Sequence, residues 1–421
     1  MSTLPLLALR SVWNRRGTAA LTVFSIAVSV ALLLGVLHLR QDARRSFANT
    51  ISGTDLVVGA RSSPLNLLLY AVFHVGEAAQ SVSYASYEKV ARHPDVAWAV
   101  PVELGDSHRG FRVLGTEASY FEHWRYGRGR PLAFDAGGPF ADLYDAVLGA
   151  EVAARLGYRL GDRIVIAHGL GEVSFAEHAD KPFRVAGILA RTGTPVDRAV
   201  HVSLAGLAAM HLDWRSGAQA PPGARVSAEA ARGADLKPVR ITAFMVGMRS
   251  KSTVLVMQRA LNEYGGEALT AIIPGVALTQ LWELVGVAET ALLVVAACVV
   301  VAGLLGMLTA ILTSLNERRR EMAILRSVGA RPRDVFALLL LEAALLAAAG
   351  AAAGVALMYG ALFAGAPLVA RRFGVVLEIG ALTPYDAALL AAVVAASLAI
   401  GAVPALNAYR RSLADGLTIR L

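Results

Sequence analysis

The chain has 421 residues, of which 56% are apolar and 17% are charged, with a formal net charge of +8 and one cysteine. Soluble domains usually carry about 25% charged residues, so this composition excludes both intrinsic disorder and a small disulfide-stapled fold. The apolar residues are concentrated in a few long segments, which indicates that part of the chain lies in lipid.

Four segments are long enough to cross a bilayer. They comprise 23 uncharged residues between Arg16 and Arg40, 27 between Glu289 and Glu317, 36 between Asp334 and Arg371 interrupted only by Glu342, and 23 between Asp386 and Arg410. A helix needs roughly 20 apolar residues to span about 30 Å of hydrocarbon. The pattern predicts transmembrane helices at 18–39, 285–315, 335–363 and 385–406. The first exceeds the roughly 7 to 15 apolar residues of a signal peptide and is predicted to be a retained anchor.

Basic residues in the short segments predict the orientation. Arginines precede the first span, six arginines lie between the second and third, and more follow the fourth. Short basic segments stay in the cytoplasm, which assigns residues 1–17, 316–334 and 407–421 to that side. Residues 40–284 and the loop 364–384 are then outside. The basic charge reflects topology and contact with anionic membrane lipid, and we expect no nucleic-acid partner.

The long outer segment is predicted to be an α+β domain. Short strand-like runs lie at 146–148, 163–167, 183–189, 200–203 and 239–248, and helical patterns at 84–92, 203–210 and 252–263. Residues 214–238 show no sustained apolar period and are predicted to be a mobile surface insert. Residues 276–289 continue helically into the second span, and the alternative is a loop there.

The cytoplasmic loop after the second span has a distinctive pattern. Met322, Leu325 and Val328 recur at every third residue, which predicts a short amphipathic helix that ends at Gly329 in a left-handed cap. Pro332 opposes simple continuation, and Asp334 is predicted to cap the third span. Such a helix is suited to receiving force from a cytoplasmic partner. The alternative is a basic loop that only fixes topology.

This loop carries a resemblance to a known family. The run from Glu317 to Ala330, ERRREMAILRSVGA, resembles the hallmark of FtsX-like permeases, the family of MacB, LolC and LolE, also called type VII ABC transporters. Pieces of the outer segment are similar to the MacB periplasmic domain; they are DLVVGAR at 55–61, VLGAEVA at 147–153, LG and LGD within 156–162, and FRVAGIL at 183–189. The resemblance implies a bacterial inner-membrane permease of four transmembrane helices with a MacB-like periplasmic α+β domain between the first two.

The resemblance also implies partners and a mechanism. No G-x-x-x-x-G-K-[ST] motif occurs, so ATP and Mg are expected on a separate ABC ATPase dimer and no cofactor is expected in this chain. The implied coupling residues are Glu317, Arg318, Arg319, Arg320, Glu321, Met322, Leu325, Arg326, Val328 and Gly329. In the family, ATP hydrolysis moves the outer domains by mechanotransmission. A second permease copy or a paralogue is implied, as is a periplasmic adaptor or substrate-binding protein.

Three residues in the third span are singled out. Gly350 and Gly354 are spaced for close helix contact, which could serve a second copy, and the alternative is glycine tolerated in an alanine-rich helix. Glu342 is a carboxylate inside a span, where charge is costly. Similar permeases often have Glu near this position, which suggests a structural contact with Arg319 or Arg326 in preference to a proton relay.

Two features of the outer segment are candidate substrate or ligand sites. Leu67, Leu68, Tyr70 and Phe73 belong to an apolar run that either lines a path for a lipid-like cargo or packs in a core. His168, Glu172 and His178, with Glu177 and Asp180, lie in one predicted hairpin and offer imidazole and carboxylate ligands for a metal such as zinc. Their spacing matches no tight metal motif.

The resemblance therefore implies a permease that exports or extracts a hydrophobic, lipid-linked or peptide substrate. One alternative is an FtsX-like signalling module that controls a periplasmic protein, and another is a component of a zinc-linked transport system. The chain contains neither G-x-S-x-G nor H-E-x-x-H, so an enzymatic role is not predicted.

Overall fold

The computed structural model describes residues 4–168, 178–215, 218–221, 225–317, 324, 327–373 and 380–410. It divides into two compact units. The helical unit comprises residues 1–42, 286–368 and 377–421, and the sheet unit comprises residues 43–285 and 369–376.

The helices of the described residues are α1 (Leu4–Asn14), α2 (Arg16–Thr50), α3 (Pro64–Ala71), α4 (Tyr84–Ala91), α5 (Ser119–His123), α6 (Ala150–Leu156), α7 (Leu204–His211), α8 (Ala228–Ala231), α9 (Val254–Asn262), α10 (Pro274–Glu317), α11 (Pro332–Phe373) and α12 (Pro384–Arg410). Two short 3₁₀ helices lie at Pro195–Arg198 and Lys251–Thr253.

The strands are β1 (Leu56–Ala60), β2 (Val82–Ser83), β3 (Val96–His108), β4 (Phe111–Thr116), β5 (Arg125–Tyr126), β6 (Arg130–Pro131), β7 (Phe134–Gly137), β8 (Asp145–Leu148), β9 (Arg163–Ile164), β10 (Ala167–His168), β11 (Phe183–Leu189), β12 (Ala199–Ser203), β13 (Trp214–Arg215), β14 (Ala218–Gln219), β15 (Arg240–Ile241), β16 (Ala243–Met248) and β17 (Leu269–Ile272).

Within the described residues, four helices are long and apolar enough to cross a membrane: α2, α10, α11 and α12. This confirms the predicted fold class of four spans with a mixed domain between the first two. The helices extend past the predicted spans, since α2 runs to Thr50 and α10 begins at Pro274. Apolar composition marks only the part of a helix suited to lipid, whereas the backbone hydrogen bonds continue through polar residues.

Side chains from all four long helices form the core of the helical unit. Ile26, Val30 and Leu34 of α2 are at most 2% exposed and belong to one apolar cluster. The same cluster takes in Met307 of α10, Ala343 and Met358 of α11, and Val393 of α12. Helix α2 is therefore a principal packing element of this unit.

A mixed sheet forms the centre of the sheet unit. Among the described residues its strand order is β17-β1-β16-β3-β4-β12-β8-β11-β7, with β10 on β3 and β9 on β11. Strands β4 and β12 pair in parallel, as do β8 and β11, and the other pairs are antiparallel. In β11, Phe183, Val185 and Leu189 are buried and alternate with less buried residues, as expected for a strand with one face on a core.

The first and the last strand of the sheet along the chain, β1 and β17, are neighbours in it. Strand β1 follows α2 in sequence, β17 precedes α10, and the two pair antiparallel with Val57 opposite Ile272. All five residues of β1 are buried. The first and last strands of this sheet along the chain are therefore adjacent.

The predicted mobile insert at 214–238 contains ordered elements where the structure describes it. Strands β13 and β14 pair, α8 is capped by the hydroxyl of Ser227, and Ala231 is fully buried. Arg232 donates two hydrogen bonds to Asp142, at 2.8 and 2.9 Å. These elements have two to four residues each, too few to produce a sustained apolar period in the sequence.

Candidate functional site

The turn between α10 and α11 is exposed where the structure describes it. Val328 is 83% exposed and Ile324 is 52% exposed, although both are apolar. Gly329 has φ +104°, a left-handed conformation that glycine adopts without strain. The predicted left-handed residue is therefore found at Gly329, beside apolar side chains that the described part of the chain leaves exposed.

The start of α11 is capped after this turn. Pro332 occupies the first helical position, where its missing N–H has no intrahelical partner in any case. The carboxylate of Asp334 accepts a hydrogen bond from the backbone N–H of Arg331 at 2.8 Å. Asp334 therefore caps α11 from within its first helical turn. This cap fixes the backbone where the exposed turn meets α11.

Much of the predicted coupling set lies outside the described residues. This applies to Arg318, Arg319, Arg320, Glu321, Met322, Leu325 and Arg326, and to the side chain of Glu317. Glu342 is partly buried in α11 and has interactions of its own. Its predicted contact with Arg319 or Arg326 involves residues that the structure does not describe, so it stays a prediction.

The two glycines of the third span face α2 of the same chain. A Cβ on Gly350 would lie 2.6 Å from Cγ2 of Ile26, and one on Gly354 would lie 2.8 Å from the carbonyl oxygen of Ala27. Helix α10 approaches α2 in a similar way, since a Cβ on Gly303 would lie 2.7 Å from Oγ of Ser29. The predicted small-residue contact exists, but α2 occupies this face of α11 where a second copy was considered.

An aromatic contact joins the ends of α2 and α10 that belong to the sheet unit. The ring of Trp282 lies edge-on to Phe47 at 5.5 Å, and the guanidinium of Arg44 lies 5.4 Å from the Trp282 ring. Phe47 also contacts Phe73 at 4.8 Å. Stacked rings and cation–π contacts each add about 0.5–1 kcal/mol, so these two helix segments are held together.

The predicted substrate-path residues lie in the core of the sheet unit. Leu67 and Leu68 are fully buried, Tyr70 is 2% exposed and Phe73 is 7% exposed. They belong to one cluster with Val57, Val100 and Ile272. The structure therefore supports the core-packing alternative, because no cargo can contact side chains that the domain itself covers.

The predicted histidine hairpin is only partly described. Glu172 and Glu177 lie outside the described residues, and of His168 the structure describes the backbone. His178 is fully buried, with its ring 4.6 Å from Trp214 and 5.2 Å from His211. Among the described residues no group of three or more histidine, cysteine or carboxylate side chains could hold a metal ion.

Two histidines of the sheet unit with lowered pKa values were not predicted from the sequence. Burial lowers the pKa of His201 to about 4, against the opposing effect of its ring nitrogen's contact with the carbonyl of Val147. Burial also lowers the pKa of His74 to about 3, helped by the nearby His201 and Arg112. Both imidazoles are neutral at pH 7. A lone histidine in a β-rich sequence carries no signal of such burial.

A charge pair between α2 and α10 was not predicted from the sequence. The Nε atom of Arg40 lies 2.7 Å from Oε2 of Glu289, and both residues belong to the helical unit. Arg40 and Glu289 were used only as the charged limits of two apolar segments. The sequence signal for this pair was a charged residue at the end of each apolar segment. Such residues need an oppositely charged partner where two neighbouring spans leave the membrane.

These features define a multi-pass membrane protein with an α+β domain between its first and second spans. Comparison with protein families gives the particular family. The MacB-like periplasmic core domain matches residues 19–242, more than half of the chain, and the FtsX-like permease C-terminal domain matches residues 293–413. The chain belongs to the MacB and FtsX-like permease family and is an ABC-transporter permease of that type.

The curated relatives are likewise named as permease proteins. The pyoverdine export ATP-binding/permease protein PvdT of Pseudomonas syringae pv. tomato is 25% identical over 98% of this chain and 58% of its own length. The macrolide export ATP-binding/permease protein MacB of Chromobacterium violaceum is 35% identical over 30% of this chain and 19% of its own. The chain thus spans somewhat more than half of the PvdT relative.

Solved structures of periplasmic domains show a weak likeness. The periplasmic region of MacB from Actinobacillus actinomycetemcomitans aligns with a TM-score of 0.33 and 10% identity, over 55% of this chain and 94% of that one. The extracellular domain of the transporter YknZ from Gram-positive bacteria aligns with a TM-score of 0.30 and 14% identity, over 52% and 99%.

Proposed function

We propose that this chain is the membrane subunit of a type VII ABC transporter whose ATPase is a separate polypeptide. No P-loop motif occurs in the 421 residues, so ATP and Mg must bind to residues outside them. The relatives PvdT and MacB are named as ATP-binding and permease proteins in one. Here the two activities would be divided, with an ATPase dimer at the cytoplasmic face of the inner membrane.

The exposed turn at Val328 carries the proposal. It lies within the match to the FtsX-like domain, and Ile324 and Val328 leave apolar surface uncovered within the described residues. Six arginines in 316–334 surround this surface in sequence. A partner that buries Val328 and offers carboxylates to the arginines would gain both apolar burial and charge complementarity.

Helices α2 and α10 are proposed to transmit movement from the ATPase to the outer domain. Each is unbroken, from Arg16 to Thr50 and from Pro274 to Glu317. Near its first turn, α10 places Ala277 and Leu278 in a core cluster of the sheet unit. A continuous helix resists compression and bending, so a displacement at one end reaches the other. This favours mechanotransmission.

Export of a hydrophobic, lipid-linked or peptide molecule is the proposed outcome. The named relatives export pyoverdine and macrolides, which supports export for this chain as well. A second permease copy would complete the transport path, and an adaptor in the periplasm would receive the cargo. The large domain is then periplasmic, with both termini in the cytoplasm.

The test uses two matched valines. Val328 is 83% exposed in the turn, and Val239 is 82% exposed in the sheet unit. The full chain, reconstituted in nanodiscs, is mixed with the ATPase that co-purifies with it. We expect Val328→Asp to lower ATPase binding about tenfold, since a central apolar contact contributes roughly 1–2 kcal/mol. Val239→Asp should leave it unchanged. Undiminished binding by Val328→Asp would overturn the docking proposal.

A further inference from the structure

Two charge pairs join α2 to its neighbours at the end of its apolar segment farther from Arg16. Arg40 pairs with Glu289 of α10 at 2.7 Å. His38 lies two residues before Arg40 on the same helix, and its Nε2 atom is 3.7 Å from Oδ2 of Asp386 at the start of α12. His38 is 7% exposed and Asp386 is 1% exposed. The second pair depends on a histidine, so its charge depends on pH.

The hydrogen bond at Nδ1 fixes where His38 gains its proton. Nδ1 lies 3.2 Å from the carbonyl oxygen of Leu34, one turn earlier on α2. A carbonyl can only accept, so Nδ1 carries a hydrogen in both charge states. Nε2, which faces Asp386, is then the atom that binds and releases the proton. When neutral, it presents a lone pair to a carboxylate, and when protonated it presents an N–H⁺.

Asp386 is held in place as an acceptor. Its Oδ2 atom accepts hydrogen bonds from the backbone N–H of Thr383 at 2.8 Å and from the Thr383 hydroxyl at 2.7 Å. In return, the Thr383 hydroxyl accepts from the backbone N–H of Asp386 at 3.2 Å. This reciprocal cap at the first turn of α12 fixes the carboxylate. Movement of α12 away from α2 must therefore separate Asp386 from His38.

We propose that His38 and Asp386 form a proton-binding site that links α2 to α12 when His38 is protonated and releases the link when it is neutral. On the same helix, Asp42 lies one turn after His38, and Arg40 pairs with Glu289 of α10. On α11, the Tyr359 hydroxyl donates to the carbonyl of Gly380, just before α12. The link is present when Nε2 of His38 carries a proton and absent when it does not.

This pair would regulate the proposed transporter. The proposed topology is needed only to say which compartment supplies the proton. If α2 crosses the membrane with Arg16 inside, the site lies at the outer end of the span, and the outer compartment supplies the proton. Acidification there would add a restraint between the first and fourth spans. The transporter would then move its outer domain less readily at low external pH.

The first test compares thermal unfolding of the full chain in nanodiscs at pH 5.5 and 7.5. We expect His38→Gln to lower the midpoint by about 3 °C at pH 5.5, the effect of roughly 1 kcal/mol, and by much less at pH 7.5. Asp386→Asn should behave alike. Outer-domain histidines also titrate, so the quantity compared is the variant's difference from wild type at each pH.

The neighbouring pair supplies a matched control. Arg40→Gln removes a link of similar location that contains no histidine, so it should lower the midpoint by a similar amount at both pH values. An equal effect of His38→Gln at both pH values would overturn the proposal. This test needs no ATPase and is independent of the proposed docking.

The second test reads the proton directly and uses unaltered protein. Histidine labelled with ¹⁵N reports the protonation of each ring nitrogen, and the His38→Gln spectrum identifies the signals of His38. We expect Nε2 to take up a proton on acidification while Nδ1 keeps its hydrogen. Loss of the Nδ1 hydrogen, or an Nε2 signal that does not change on acidification, would overturn the assignment of the site.

Discussion

Lys181 and Asp213 form an ion pair in which Nζ lies 2.6 Å from Oδ1 and neither side chain is exposed. Asp180 lies 3.3 Å from the same Nζ atom. The pair joins the segment before β11 to the segment after α7. It therefore links these two segments through two charged side chains that are both buried.

Removing one partner of this pair should be costly. Lys181→Met leaves the Asp213 carboxylate buried without its cation, for which we expect a loss of about 3–5 kcal/mol in the free energy of unfolding. Chemical denaturation monitored by tryptophan fluorescence measures it. The double variant Lys181→Met with Asp213→Leu should recover most of the loss, because it buries no charge. Full stability of the single variant would contradict the prediction.

Acid should destabilise the sheet unit through His201. Its pKa is about 4 in the folded chain and 6.5 when exposed, so below pH 6.5 the unfolded chain binds the extra proton. Stability is complete above pH 6.5 and falls as pH drops toward 4, by up to roughly 3 kcal/mol. His201→Phe should flatten this slope in unfolding curves at several pH values.

The control for this pH effect is His93→Phe. The side chain of His93 is 44% exposed, so its removal should leave the slope as in wild type. An unchanged slope in His201→Phe would show that another group controls acid sensitivity.

Packing of α11 on α2 predicts that Gly354 tolerates no side chain. The Cβ of Gly354→Ala would lie 2.7 Å from Cβ of Val30 and 2.8 Å from the carbonyl oxygen of Ala27, so the helices must separate. We expect a loss of about 1–3 kcal/mol. Gly360→Ala, on the same helix with no atom within 4 Å, should be neutral or slightly stabilising. Thermal unfolding in nanodiscs separates the two variants.

The aromatic contact at Trp282 predicts local loosening when the ring is removed. Trp282→Ala loses the edge contact with Phe47 and the cation–π contact with Arg44, together about 1–2 kcal/mol. Hydrogen exchange should accelerate in residues 43–50 and 274–285. Trp282→Phe, which keeps a ring, should change it less. Trp13→Ala, at a residue 76% exposed, is expected to leave exchange there unaltered.

Element type was predictable from sequence where the pattern was long or strictly alternating. The four apolar segments and the strands at Phe183–Leu189 and Ala199–Ser203 follow the hydrophobic periodicity closely. The left-handed residue at Gly329 was predictable because glycine followed an amphipathic run. These features depend on near neighbours in the chain, which a sequence displays directly.

Long-range partners were not predictable in the same way. Strand β3 runs for 13 residues and pairs with β4, β10 and β16, yet its interrupted apolar pattern was not recognised as a strand. The partners of Gly350 and His38 lie on other helices, hundreds of residues away in some cases. Such contacts are set by tertiary packing, which the residue types alone leave undetermined.

The pairing of β1 with β17 has an evolutionary consequence. Because Val57 and Ile272 lie side by side, residues 56–272 begin and end in neighbouring strands of the sheet. A module attached in this way can be exchanged for another by recombination at two points while the helices on either side keep their sequence.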